Sequence, residues 1–115
     1  SRQERWDEAL DRADQGLRVN RKNSELIALV EDIAKKNDTD LRMRAYSILE
    51  DTYRHNKSPE DLVRALGGRS ELADDVDTRR AILLELAGLE SSKMKRPEKA
   101  LKFVAEALQL RVDEN

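Results

Sequence analysis

Apolar residues recur at helical spacing along almost the whole chain, and over its last third they do so on two faces at once. From Pro97 onward Leu101, Val104, Ala105 and Leu108 stand at i, i+3, i+4 and i+7. Ala100, Phe103, Ala107 and Leu110 form a second stripe, rotated about the same axis. One stripe is buried by one partner helix; two stripes need two neighbours. The preceding segment, 78–92, is as broad, with Ile82, Leu86 and Leu89 on one line and Leu83, Leu84 and Ala87 on another. Helices apolar on more than one face cannot bury themselves as an isolated pair, which is the condition for stacking with further pairs.

Upstream the same period continues. Residues 4–19 predict a helix with Trp6, Ala9, Leu10, Ala13 and Leu17 along one face, and Trp6 reads as core packing. Asn23 or Ser24 caps a second helix, 25–36, striped by Leu26, Leu29, Val30 and Ile33 and widened by Ile27 and Ala34. Asn37, Asp38 and Thr39 break it and recap a third, 40–56, carrying Leu41, Ala45, Ile48, Leu49 and Thr52, with Tyr46 and Tyr53 on an adjoining line. Ser58-Pro59-Glu60-Asp61 is the clearest helix start, with Ser before the helix, Pro at its first position and acids in its first turn. The fourth helix runs to about Asp74 through Gly67-Gly68, where either the helix kinks or a neighbouring backbone comes close. Asp74, Asp75 and Asp77 end it and cap the fifth.

Composition narrows the class to all-α. Only 3% of residues are aromatic and there are four Gly and two Pro, a poor set for sheets and turns. At 115 residues the chain is one domain by size, 1–115, with room for about six antiparallel helices. Its 22 basic and 24 acidic residues are interleaved, so no surplus exists to hold nucleic acid or an anionic membrane. There is no cysteine, which excludes disulfides and thiolate metal sites and fits the cytoplasm, with the periplasm equally compatible. No apolar run approaches 18 residues, so no membrane span is expected. The chain opens on Ser and a charged segment without signal-peptide character, as a fragment of a longer repeat protein would.

Repetition is visible in the residues. Pro59 and Pro97 open the similar runs PEDL and PEKAL, a period of about 38 residues. Arg44 and Ala45 align with Arg80 and Ala81. Ala9, Leu10 and Leu17 align with Ala100, Leu101 and Leu108, so the first helix is either the second half of a repeat or a plain amphipathic cap. On these residues the segment 79–115 resembles the tetratricopeptide repeat. Gly88 stands where that family places a small residue between closely approaching helices, and Ala100, Val104 and Ala107 follow in its order. The exit ALQLRVDEN is similar to the family's ending, with Val112 in place of proline. The period exceeds the family's usual 34, so SSKMKR is expected to add a turn to the fifth helix. Helix two breaks the alternation of first and second helices that the other alignments imply.

The resemblance implies a right-handed superhelix of stacked hairpins whose first helices line a concave groove for a peptide or partner helix. Counted from Gly88, the groove positions are Glu85, Leu89, Ser92 and Lys93, and in the third helix Tyr46, Leu49, Tyr53 and Asn56. The competing reading packs Leu49 and Tyr53 against helix two. Catalytic chemistry is not expected: the single His55 lies among Arg54, Asn56 and Lys57 at a helix end, and one His supports no triad. The acid groups at 38–40 and 74–77 lack the glycine and terminal Glu of a calcium loop and read as caps. Neither a metal nor a cofactor is implied. Lys93, Lys95, Arg96, Lys99 and Lys102 form the one local charge excess, a solvated face or the mate of an acidic segment. The expected function is a non-catalytic protein-interaction scaffold, with a regulatory or accessory helical-bundle subunit as the alternative. The unspent stripe of the last helix predicts a missing next repeat or self-association there.

Overall fold

The computed structural model describes the backbone of residues 2–114 and the side chains of residues 4–110. Among the described residues there are six helices: α1 Arg2–Val19, α2 Ser24–Ile33, α3 Thr39–His55, α4 Pro59–Leu72, α5 Val76–Ser92 and α6 Pro97–Glu114. No strand occurs among the described residues. The helices gather into two compact units, Ser1–Ser58 and Pro59–Asn115, where the sequence alone predicts one domain over 1–115.

The helix boundaries follow from side chains that satisfy the first free N–H groups. Asn23, rather than Ser24, caps α2, its Oδ1 accepting from the Leu26 N–H at 3.1 Å. Asp38 accepts from Leu41 N–H at 2.9 Å and Asp75 from Thr78 N–H at 2.8 Å, so each of the two acidic groups supplies a cap. A second device closes the preceding helix in each unit. Arg42 Nε donates to the Ala34 carbonyl at 2.8 Å, and Arg79 donates through Nε to Ser70 O and through Nη2 to Ala73 O at 3.1 and 2.9 Å. Asp38 and Arg42 therefore correspond to Asp75 and Arg79, one residue out of step with the pairing of Arg44 and Arg80. In both units a helix N-cap and the guanidinium one turn later lock two successive helices at their junction.

Unit 1 packs α1, α2 and α3 so that each touches the other two. Leu10, Ala13 and Leu17 of α1, Val30 and Ile33 of α2 and Leu41, Ala45 and Leu49 of α3 are buried, each large aliphatic contributing about 1.5–3 kcal/mol. Polar contacts orient this core. Arg44 on α3 spans two carboxylates of α1, reaching Asp7 at 2.8 Å and Asp11 at 2.6 Å. Trp6 is half-buried and takes the Lys36 ammonium over its ring at 4.5 Å, so its packing role carries a cation–π contact as well. At Gly16 the Leu26 side chain comes close to α1: a Cβ there would stand 2.5 Å from Leu26 Cδ1.

In unit 2, α5 packs against both α4 and α6, and α4 and α6 do not meet among the described residues. Ile82, Leu83, Leu86 and Ala87 form the buried face of α5, with Leu62, Ala65 and Leu66 from α4 and Ala100 and Ala107 from α6 also buried. Two expectations, for Gly88 and for SSKMKR, fail here. Gly88 lies on the exposed face of α5, and a Cβ there meets nothing within 4 Å, so no close helix approach explains it. The helix α4 continues through Gly67-Gly68; at Gly67 a Cβ also meets nothing within 4 Å, and the Ser70 hydroxyl donates to the Gly67 carbonyl at 2.8 Å. SSKMKR adds no turn: α5 ends at Ser92, Lys93 and Met94 donate back to Leu89 O, and Lys95 takes φ 55° before α6 starts. The extra length is thus absorbed as a left-handed kink in the loop.

Candidate functional site

The eight groove positions do not share one environment. In unit 1, Leu49 and Tyr53 are 3% and 4% exposed and belong to the core. Tyr53 donates its hydroxyl to Glu31 Oε2 on α2 at 2.5 Å, and Asn56 Nδ2 donates to the Arg21 carbonyl at 2.7 Å. Arg21 in turn donates to the buried Thr52 hydroxyl at 3.1 Å. Tyr53 and Asn56 consequently fasten α3 to α2 and to the α1–α2 turn; Leu49 and Tyr53 are buried within unit 1, and Asn56 stays half-buried. The cause is the breadth of the apolar face of α3: with two neighbouring helices it buries the line expected to face a ligand. Tyr46 is half-buried. In unit 2, Glu85 and Leu89 are half-buried, while Ser92 and Lys93 are exposed at the end of α5, with the Ser92 hydroxyl returned to the Gly88 carbonyl at 2.7 Å.

The clearest unpartnered surface is on α6. Its Ala100 and Ala107 are buried and Phe103 and Leu110 half-buried, so the second stripe is the one spent on unit 2. The first stripe faces out, with Leu101 at 70% and Leu108 at 60% exposure and Val104 half-buried beside them. These two leucines are paired in sequence with Leu10 and Leu17, which are fully buried. The likeness of α1 to α6 is therefore one of residue order and not of packing.

Between α1 and α2 runs a second apolar feature that the sequence did not single out. This open groove of about 290 Å³ is lined by Ala9, Ala13, Leu26 and Leu29, with Arg5, Glu8 and Arg12 along its α1 rim. Small residues on α1 opposite leucines on α2 create it, and the signal available was the Ala9, Ala13, Gly16 series at successive turns. A smaller recess of about 100 Å³, between Ala73, Asp75 and Leu110, is too small for an organic ligand.

Outside these surfaces Glu90, Arg96 and Asp75 serve the fold. Glu90 is 1% exposed and accepts from Arg96 Nε at 2.8 Å, while the Arg96 N–H donates to the Glu90 carbonyl, so one residue holds both ends of the α5–α6 turn. The Thr78 hydroxyl and N–H both donate to Asp75 and hold its carboxyl below the ordinary 3.8. His55 is exposed at the end of α3. Among the described residues no group of three His, Cys, Asp or Glu side chains converges on a metal-sized site, and no helix is long and apolar enough to cross a membrane. Compared with protein-family models, with curated proteins and with solved structures, the chain finds no match in any of the three.

Proposed function

We propose that this chain is a non-catalytic protein-interaction scaffold of tetratricopeptide-like helical hairpins, taking up a peptide or a partner helix. The observation that carries the reading is the Leu101–Leu108 face of α6, apolar and open on a helix whose opposite face is already buried. The shared Asp–Arg junctions support it too. They make α3 and α5 helices of one kind and α2, α4 and α6 helices of the other, and α1 then falls with α3 and α5. With that assignment the alternation is regular, helix two included, and the open face lies on α6, a helix of the second kind. Tyr46 on unit 1, and Glu85, Leu89, Ser92 and Lys93 on unit 2, remain candidate partner contacts, each within its own unit.

The test compares the chain with its Leu101→Glu/Leu108→Glu variant in affinity capture from source-cell extract, both checked for an unchanged melting curve. Proteins retained by the parent and lost from the variant support the reading; the same set retained by both overturns it. Tyr46→Ala applies the same criterion to the groove. A regulatory or accessory bundle is the second reading, favoured by unit 1, whose three helices all touch and share a hydrogen-bonded polar cluster. There the bound partner is fixed, and capture is insensitive to Tyr46.

A further inference from the structure

Resting on the scaffold reading, we propose that the α1–α2 groove of unit 1 is a second docking site, taken by a partner protein. Its occupant is an amphipathic helix carrying acids along one flank of its apolar stripe and bases along the other.

The groove lies wholly within unit 1 and has Ala9 and Ala13 of α1 and Leu26 and Leu29 of α2 as its floor. Arg5 and Arg12 border it on α1, seven residues apart, which is two turns or about 10.5 Å. Glu8 also lines this side, about 40–60° farther round α1 than the two arginines. On α2, Glu25 and Asp32 stand one turn before and one turn after Leu29, rotated about 40–60° from it on the side away from Leu26. They form the outer border on that helix, again seven residues apart, and α2 holds no basic residue. Arg5, Arg12, Glu25 and Asp32 are all exposed, and none forms an ion pair among the described residues.

An apolar floor between a basic and an acidic border selects what can lie on it. A membrane surface or a nucleic acid, negative throughout, is repelled along the α2 border. An extended peptide alternates its side chains between opposite faces, so the neighbours of an inserted apolar residue point away from both borders. A helix puts charge on both sides of an apolar stripe, and its own seven-residue spacing matches that of each border. Its acids meet Arg5 and Arg12 while its bases meet Glu25 and Asp32. Exchanging the two flanks turns the helix end for end in the groove without abolishing the fit, so the borders set its direction. Flanks of a single sign leave one border repelled in either direction.

Three labelled synthetic helices of about 18 residues, or five turns, serve as probes. They share one leucine stripe and differ in their flanks, which are glutamate and lysine, glutamate alone or lysine alone. Fluorescence anisotropy on the full chain is expected to show the mixed peptide bound about tenfold more tightly than the other two, the combined effect of four exposed ion pairs, with the margin shrinking in high salt. Arg5→Glu/Arg12→Glu makes both borders acidic and moves the preference to the all-lysine peptide; Glu25→Lys/Asp32→Lys moves it to the all-glutamate one. Both variants change exposed positions, and a cooperative melt shows that each is folded. A mixed peptide held no more tightly than the others, or a preference unmoved in either variant, overturns the partner helix. So does a folded Ala9→Glu variant that binds the mixed peptide as the parent does. Self-association of the parent chain that Ala9→Glu abolishes gives the groove to a second copy and overturns the proposal too. Leu101→Glu/Leu108→Glu should bind the mixed peptide like the parent; a loss there moves the peptide to α6, overturning the groove while leaving the scaffold reading intact.

Discussion

Arg96→Ala is the perturbation that most directly tests how unit 2 is held. The Glu90 side chain is 2% exposed and Arg96 is its partner at 2.8 Å, with the guanidinium side chain 36% exposed. Removing one member of a buried ion pair costs about 3–5 kcal/mol, because the remaining charge is stranded away from water. Here water reaches the Arg96 side of the pair and the Arg96 N–H bond to Glu90 O survives the substitution, which places the expected loss at the lower end, about 3 kcal/mol. Against a total of about 5–15 kcal/mol that is a large fraction. For a chain of this size it corresponds to a fall in Tm of about 10 °C. Glu90→Met/Arg96→Met replaces both charges by apolar side chains of similar length and should lie within about 1 kcal/mol of the parent. Urea unfolding of Glu90→Met, Arg96→Met and their double variant closes the cycle, with Arg96→Ala measured beside it. If Arg96→Ala costs under 0.5 kcal/mol by this measure, roughly the scale of a surface substitution, then Glu90 is not dependent on its partner and the account of the α5–α6 turn is wrong.

Glycines separate by what surrounds them. Gly67→Ala and Gly88→Ala place a methyl group in open space inside helices and should each stabilise by about 0.5–1 kcal/mol in urea unfolding. Gly16→Ala meets Leu26 Cδ1 at 2.5 Å, forces that side chain to turn and should gain nothing; equal stabilisation at all three positions would refute the close approach of α1 and α2. Lys57 adopts φ 55° after α3, with the Ser58 N–H returning to Tyr53 O, so Lys57→Gly should raise stability by about 1 kcal/mol in thermal melts. Asp75 has a folded-state pKa below 3.8, so the stability it contributes is complete above that value and is lost as pH falls through the lower, folded value. Asp75→Asn keeps an N-capping oxygen that does not titrate, and its Tm should decline less steeply on acidification below 3.8 than that of the parent; parallel curves would refute the assignment.

By itself the sequence determined the helices. Their apolar stripes recur at a period that only a helix can place on one face, and Asn23, Asp38, Asp75, Pro59 and Pro97 mark starts through side-chain or ring chemistry that acts within a few residues. The two stripes of α6 were legible for the same reason. Tertiary structure alone decided which stripe each neighbour covers. Periodicity specifies that a face is apolar but not its mate, so Tyr53 and Leu49, read as groove residues, fall inside unit 1, and Leu101 and Leu108 stay outside despite matching the buried Leu10 and Leu17 in order. The same limit hid the α1–α2 groove, which exists only because alanines on one helix face leucines on another. It also misdirected Gly88, since a missing Cβ matters only where a neighbour approaches, and the packing brings that neighbour to Gly16.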